Sequence, residues 1–262
     1  VALVSRPLAD QACPRGKDPM NNPVSANLDP LRPLSLHVPH LNRIPGSCLM
    51  TMGDTQVLAT VSHETKVPAF IRGSGKGWIN AEYGMLPASP GHQRLPRERQ
   101  RAHNRHIEIQ RLISRCLRQA LPLELIEGLT LHVDCDVLQA DGGTRCCSIN
   151  AALMAIDSFL GHLTAIGTMN RRPTIHWLAA VAVAVGPDLS LQVDPDYRQD
   201  ASALADINVV SDAQGALIEV QGTGEGSPIP RDVFMEAVDR GIQANLSLIT
   251  FMQSVQNTQV HP

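Results

Sequence analysis

Leu129-Thr-Leu-His-Val-Asp-Cys-Asp-Val-Leu138 leads through Asp141-Gly142-Gly143-Thr144-Arg145 into Ser148-Ile-Asn-Ala-Ala-Leu-Met-Ala-Ile-Asp-Ser-Phe-Leu160. The first segment alternates apolar and polar residues, the pattern of a strand with one buried face. The last carries apolar residues at helical spacing. A strand, a Gly-Gly turn, a Thr, an Arg and a helix follow one another, so free backbone N–H groups, a hydroxyl and a guanidinium meet at one helix N-terminus. The first turn of a helix has unpaired donors and the positive end of the dipole, which suits an anion. Arg145 adds a planar fork that matches phosphate. An ordinary glycine turn capped by Thr144, with Arg145 in solvent, fits the same residues.

Outward from this stretch, the chain has material for a sizeable core. Of 262 residues, 43% are apolar but only 3% aromatic, so aliphatic side chains must fill the interior. No stretch reads as long and apolar enough to span a membrane, and the apolar run Trp177–Val185 reads as a fully buried strand. Further strands are expected at Ser47–Met52, Gln56–Ser62, Trp78–Leu86, Leu189–Val193, Ile207–Ser211 and Leu217–Gln221. Helices are expected from about Arg105 to Leu121, with Ile109, Leu112, Ile113, Cys116 and Leu117 as the buried stripe, and from about Arg231 to Val255. Two halves, each with strands followed by a helix, indicate an α+β fold with a duplicated β-plus-α unit and mixed sheets covered by helices. Residues 1 to 28 begin with Val1, are rich in Pro, Asn, Asp and Ala, and read as a loose arm with possible internal initiation at Met20.

The net charge of −3 carries no message about nucleic acid, but the distribution of charge does. Nineteen of the 22 basic residues are arginine, and eight of those fall between Arg94 and Arg118. Arg94, Arg97, Arg99, Arg101 and Arg105 are interleaved with His92, His103 and His106, and a loop of this kind can track a phosphate backbone. From composition alone, a solvated charged loop is the simpler reading of the same residues. Asp194, Asp196, Asp200 and Asp206 form a second cluster, and carboxylates with few basic neighbours suit Mg²⁺, though an acidic loop at the end of a strand fits the same residues. Gly222-Thr-Gly-Glu-Gly226 reads as a glycine loop after a strand. The six cysteines show neither C-x-x-C nor zinc spacing, so reduced, buried thiols and a cytoplasmic location are expected.

Six motifs taken together resemble the ribonuclease PH family. They are Gly73-Ser-Gly-x-Gly-Trp78, Ala81-Glu-Tyr-Gly-Met-Leu-Pro87, Glu108-Ile-Gln-Arg-Leu-Ile113, Asp134-Cys-Asp-Val-x-Gln-Ala-Asp-Gly-Gly-Thr-Arg145, Asp206-x-Asn-Val-Val210 and Ile218-Glu-Val-Gln-Gly-Thr-x-Glu-Gly226. They occur in the family's order, and the resemblance covers a catalytic domain from residue 29 to about residue 258. It implies the duplicated βαβα fold of the phosphorolytic exoribonucleases. It also implies removal of 3′-terminal nucleotides from tRNA precursors, with inorganic phosphate as attacking group and nucleoside diphosphate as product. The implied assembly is a homohexameric ring, a trimer of dimers.

The resemblance places the phosphate at Arg105, Gly143, Thr144 and Arg145. It places a Mg²⁺ or Mn²⁺ at Asp200 and Asp206, and the RNA at Arg94, Arg97, Arg99 and Arg101. The catalytic set is then Arg105, Arg145, Asp200 and Asp206. Some positions depart from the family pattern: Asn104 stands where a Gly precedes the phosphate arginine, Ile107 replaces a Gln, and Gln199-Asp200-Ala201 replaces Glu-Asp-Ser. The Arg-Pro-Asp-Gly-Arg opening of the family is missing. The alternative within the same resemblance is a non-catalytic, RNA-binding ring subunit of exosome type.

Overall fold

The computed structural model describes residues 23–97, 104–224 and 228–260. Strands β1 (Val24–Ala26), β2 (Leu34–His37), β3 (Ser47–Met52), β4 (Thr55–Glu64) and β5 (Trp78–Met85) come first, followed by helix α1 (Asn104–Ala120). Strand β6 (Thr130–Gln139) and helix α2 (Thr144–Ala165) complete the first half. The second half holds β7 (Leu178–Val185), β8 (Leu191–Val193), the short α3 (Tyr197–Ala201), β9 (Ala205–Asp212), β10 (Leu217–Gly224) and α4 (Arg231–Val260). Residues 1–22 lie outside the described residues, and ordered structure begins inside the expected arm, because β1 pairs with β2.

The strands form two sheets. The first has the order β1-β2-β3-β4-β6-β5, with β5 and β6 parallel and joined through α1. The second has the order β10-β9-β7-β8 and is antiparallel throughout. Helices pack on both sheets, so the α+β architecture holds.

Helix α2 is the centre of the molecule. Its residues from Cys146 to Asp157 are all buried, and it packs on β3, β4 and β6 of one sheet and on β7 of the other. A helix that is apolar all round belongs in the core. This corrects two expectations. The helix begins at Thr144, four residues before the first expected position, and ends at Ala165. At 22 residues it is also long and apolar enough to cross a membrane, but 83% of its most apolar window is buried inside the fold. Being covered on every side, it has no polar face whose period could mark its ends.

Elsewhere the periodicities translate directly. In β6, Leu131, Val133, Cys135 and Val137 point into the core, while His132, Asp134 and Asp136 face the other way. All eight residues of β7 are buried, as its continuous apolar run requires. In α1 the stripe Ile109, Leu112, Ile113, Cys116 and Leu117 is buried, and Arg111 and Arg115 are exposed. Arg118 instead lies half-buried over the Trp78 ring, with Nη1 donating to the Ile79 carbonyl at 2.9 Å. Arg115 reaches across to β10, where Nε donates to Glu219 Oε2 at 3.0 Å, so an ion pair joins the two halves.

One sequence feature changes character. Strand β10 continues to Gly224, so Gly222 is a strand residue. A Cβ on Gly222 would lie 2.8 Å from the Phe234 ring, which makes it a packing glycine under α4. Cys48, Cys116, Cys135, Cys146 and Cys147 are free and buried, and burial pushes the Cys146 and Cys147 thiols well up, away from thiolate chemistry.

Candidate active site

The Gly142–Gly143 turn is held from three sides. Both glycines have positive φ, and a Cβ on Gly142 would collide with the Pro195 carbonyl oxygen, so the segment before α3 presses against the turn. Thr55 Oγ1 donates to the Gly142 carbonyl at 2.6 Å and accepts from the Asp141 N–H at 2.9 Å. Arg32 then clamps the turn. Its Nη2 donates to Asp194 Oδ1 at 2.7 Å, its backbone N–H to Asp194 Oδ2 at 3.1 Å, and its Nη1 to the Asp141 carbonyl. Burial pulls the Arg32 guanidinium down, but the bonds and charges of Asp194 and Asp141 outweigh this and hold it above its ordinary value. Asp141 Oδ1 also accepts from the Tyr197 N–H at 3.0 Å, which fixes α3 beside the turn.

Helix α2 starts from this frame. Its N-cap is Gly143, with φ 62°, and among the described residues no side chain caps the first turn. Thr144 does not cap this turn, since its hydroxyl lies 2.9 Å from the Tyr83 hydroxyl. Tyr83 is buried on β5. Burial pushes its phenol up, and the hydrogen bond with Thr144 and the charges of Arg105 and Arg145 partly offset that. Both guanidinium groups thus bear on Tyr83 from different helices: Arg105 from the exposed first turn of α1, Arg145 from the first turn of α2. Next to Arg105, the His106 ring meets Tyr83 edge to face at 5.4 Å.

The acidic side is formed by α3 and β9. Arg145 Nη2 lies 4.0 Å from Asp206 Oδ2, the outer limit of an ion pair. Asp206 Oδ2 accepts from Asn208 Nδ2 at 3.0 Å, while Asp206 Oδ1 is buried without a hydrogen-bond partner among the described residues. Asp200 lies on α3, which is set by a reciprocal cap between Asp196 and Gln199. Gln199 fills that role as well as a glutamate would. Among the described residues, no three His, Cys, Asp or Glu side chains converge as a metal cage. A Mg²⁺ here would therefore complete its shell with water and substrate oxygens, as this hard cation commonly does.

The arginine loop divides. Arg99 and Arg101 lie outside the described residues. Arg94 is exposed two residues after His92, whose ring packs on Tyr197 of α3 at 5.2 Å, so the start of the loop borders the acidic side. Arg97 lines a cleft of about 380 Å³ with His106, Gln110, Glu82, Asp134 and Asp136. Sequence reasoning had assigned no role to Arg32, Tyr83 or Asn208, and it had grouped Asp194 with the Mg²⁺ carboxylates, whereas the structure pairs Asp194 with Arg32. Tyr83 and Asn208 stand inside recognisable motifs, but Arg32 and Asp194 are separated by 162 positions and carry no local signal of their pairing.

The start of α2 carries Arg145 in its first turn, with Asp206 4.0 Å from that arginine, an arrangement that can take an anion. Comparison with known proteins names the class. The model of the 3′ exoribonuclease family, domain 1, matches residues 30–159, and that of domain 2 matches residues 178–244. The chain is 40% identical over 220 residues to ribonuclease PH of Bacillus subtilis, covering 82% of this chain and 89% of that protein. It is 42% identical over 220 residues to ribonuclease PH of Halalkalibacterium halodurans, covering 82% and 85%. Solved structures share the fold: rice Rrp46 (TM-score 0.66, 20% identity, 87% of this chain and 96% of that one) and an archaeal exosome core (0.68, 19%, 87% and 89%).

The chain belongs to the ribonuclease PH family. It is accordingly a phosphorolytic 3′→5′ exoribonuclease, a nucleotidyltransferase that uses inorganic phosphate as co-substrate, and tRNA 3′-end trimming is the activity that the family name denotes.

Proposed function

We propose that phosphorolysis takes place at the uncapped N-terminus of α2, with Arg105, Gly143, Thr144 and Arg145 holding inorganic phosphate. The observation that carries this is the first turn of α2, which no described side chain caps, which carries Arg145, and whose Thr144 hydroxyl meets Tyr83, a residue on which the charges of Arg105 and Arg145 both bear. A phosphate dianion must approach an anionic phosphodiester. Arg105 and Arg145 neutralise part of that charge, and the backbone N–H groups after Gly143 orient the attacking oxygen. A phosphate oxygen bonds to the phosphorus of the last linkage as the bond to the preceding 3′ oxygen breaks. A nucleoside diphosphate leaves, and the shortened RNA keeps a 3′ hydroxyl once its oxygen takes up a proton. Positioning and charge supply most of the rate, as in other phosphoryl transfers.

Asp200 and Asp206 are the residues that would hold Mg²⁺ or Mn²⁺. The buried, unpartnered Asp206 Oδ1 fits a cation, since a carboxylate oxygen rarely stays without a donor. Such an ion supplies Lewis-acid stabilisation of charge on the transferring group and on the leaving oxygen. Arg94, Arg97, Arg99 and Arg101 guide the RNA strand toward this site. A cytoplasmic homohexamer, a trimer of dimers, would bring the arginine loops of neighbouring subunits together. The free, buried cysteines support a reducing compartment, and the fold shared with an exosome core supports a ring.

Incubating a tRNA precursor with and without inorganic phosphate tests the reading. Nucleoside diphosphates that form only with phosphate are expected. Monophosphates would mean hydrolysis, and no product would mean an RNA-binding ring subunit.

A further inference from the structure

Asn208 is 4% exposed on β9, two residues beyond Asp206, and lies against the first turn of α2. Its amide has two partners. Nδ2 donates to Asp206 Oδ2 at 3.0 Å, and Oδ1 accepts from the Cys146 thiol at 3.1 Å. An ionised carboxylate can only accept, so the amide must turn its NH₂ toward Asp206. Its oxygen then faces Cys146, whose S–H is the donor. The flipped amide would set one oxygen against the carboxylate and the NH₂ against the thiol proton. One orientation therefore wins, and it uses one oxygen of Asp206 while leaving the other, buried Oδ1, without a partner.

We propose that Asn208 is a positioning residue for Asp206, with its amide locked by the Cys146 thiol, so that Asp206 presents Oδ1 to a divalent cation. The inference rests on the reading of Asp206 as a cation ligand. It goes further by making this ligand depend on a cysteine of the helix that binds phosphate. Cys146 directly follows Arg145, so the phosphate side and the cation side share one rigid connection. Groups that orient a metal ligand typically change metal affinity about 10- to 100-fold when removed.

The test is Mn²⁺ binding to the full chain at constant inorganic phosphate, followed by the electron paramagnetic resonance of free Mn²⁺. Asp206→Asn should abolish the site. Asn208→Ala should weaken Mn²⁺ binding roughly tenfold or more, with KM for phosphate and Tm little changed, whereas a purely structural role would move all three together. Cys146→Ser keeps a donor and should bind Mn²⁺ close to the parent value. Cys146→Ala frees the amide to flip and should weaken binding. If Asn208→Ala does not fold, the two Cys146 variants decide. Parent-like Mn²⁺ binding in Asn208→Ala and Cys146→Ala, with loss in Asp206→Asn, overturns the positioning role and leaves the cation reading standing. Parent-like binding in Asp206→Asn as well overturns both.

Discussion

Two arginine–aspartate pairs flank the Gly142–Gly143 turn. Arg32 and Asp194 are joined by two hydrogen bonds, and the Asp194 side chain is 1% exposed. Arg145 and Asp206 stand 4.0 Å apart with side chains 20% and 22% exposed, and one Asp206 oxygen has no hydrogen-bond partner. The first pair spends its charge on itself. Its geometry leaves little for a ligand and much for the shape of the turn. In the second pair, neither charge is neutralised at close range, so an anion can take the guanidinium and a cation the carboxylate. The same two residue types form a closed pair on one side of the turn and an open pair on the other. The difference lies in the closeness and burial of the pairing.

Breaking the frame should give the largest effect. Asp194→Ala leaves the buried Arg32 charge without its main partner, and removing one member of a buried pair costs about 3–5 kcal/mol. Thermal unfolding should show a Tm lower by on the order of 10 °C. An unchanged Tm would mean that the clamp is ornamental. The working pair should behave in the opposite way. Arg145→Ala should leave Tm within a degree or two but slow phosphorolysis more than a hundredfold, since a lost charge-assisted contact in the transition state costs about 3 kcal/mol. Near-normal turnover in a folded variant would remove Arg145 from the phosphate site.

The third prediction sharpens the boundary of the working region. Replacing Arg97, Arg99 and Arg101 together with alanine should raise KM for precursor tRNA roughly tenfold. It should also flatten the salt dependence by roughly one log–log unit per lost phosphate contact. KM for inorganic phosphate should move much less, because Arg105, Thr144 and Arg145 remain. A larger loss for phosphate than for tRNA would assign the loop to the phosphate pocket.

The smallest effect concerns a group outside both pairs. Burial lowers the pKa of His63, whose ring lies 5.5 Å from Phe159. Between its folded value and an unfolded value of about 6.5, the unfolded chain binds more protons, so stability rises with pH in that window and falls as pH drops through it. His63→Gln should flatten this part of the stability–pH curve measured by urea unfolding. An unaltered slope would exclude His63.

Much of this was legible in the residues themselves. The buried stripe of α1, the alternation in β6, the fully apolar β7 and the Gly-Gly turn before α2 are local patterns, set by periods of 3.6 and 2 and by the glycines that open a helix start. Family motifs named Arg105, Thr144, Arg145, Asp200 and Asp206 as the residues proposed for phosphate and cation. Tertiary structure alone decided what each charge faces. Arg32 finds Asp194 across 162 positions, Tyr83 finds Thr144 across 61, and Cys146 finds Asn208 across 62. It also extended α2 beyond its expected ends, because a helix covered by two sheets has no polar face to mark its limits. Local periodicity reports which side of an element is buried. Whether an arginine is neutralised or left to bind depends on the distance to its partner, and that distance exists only once the chain has folded.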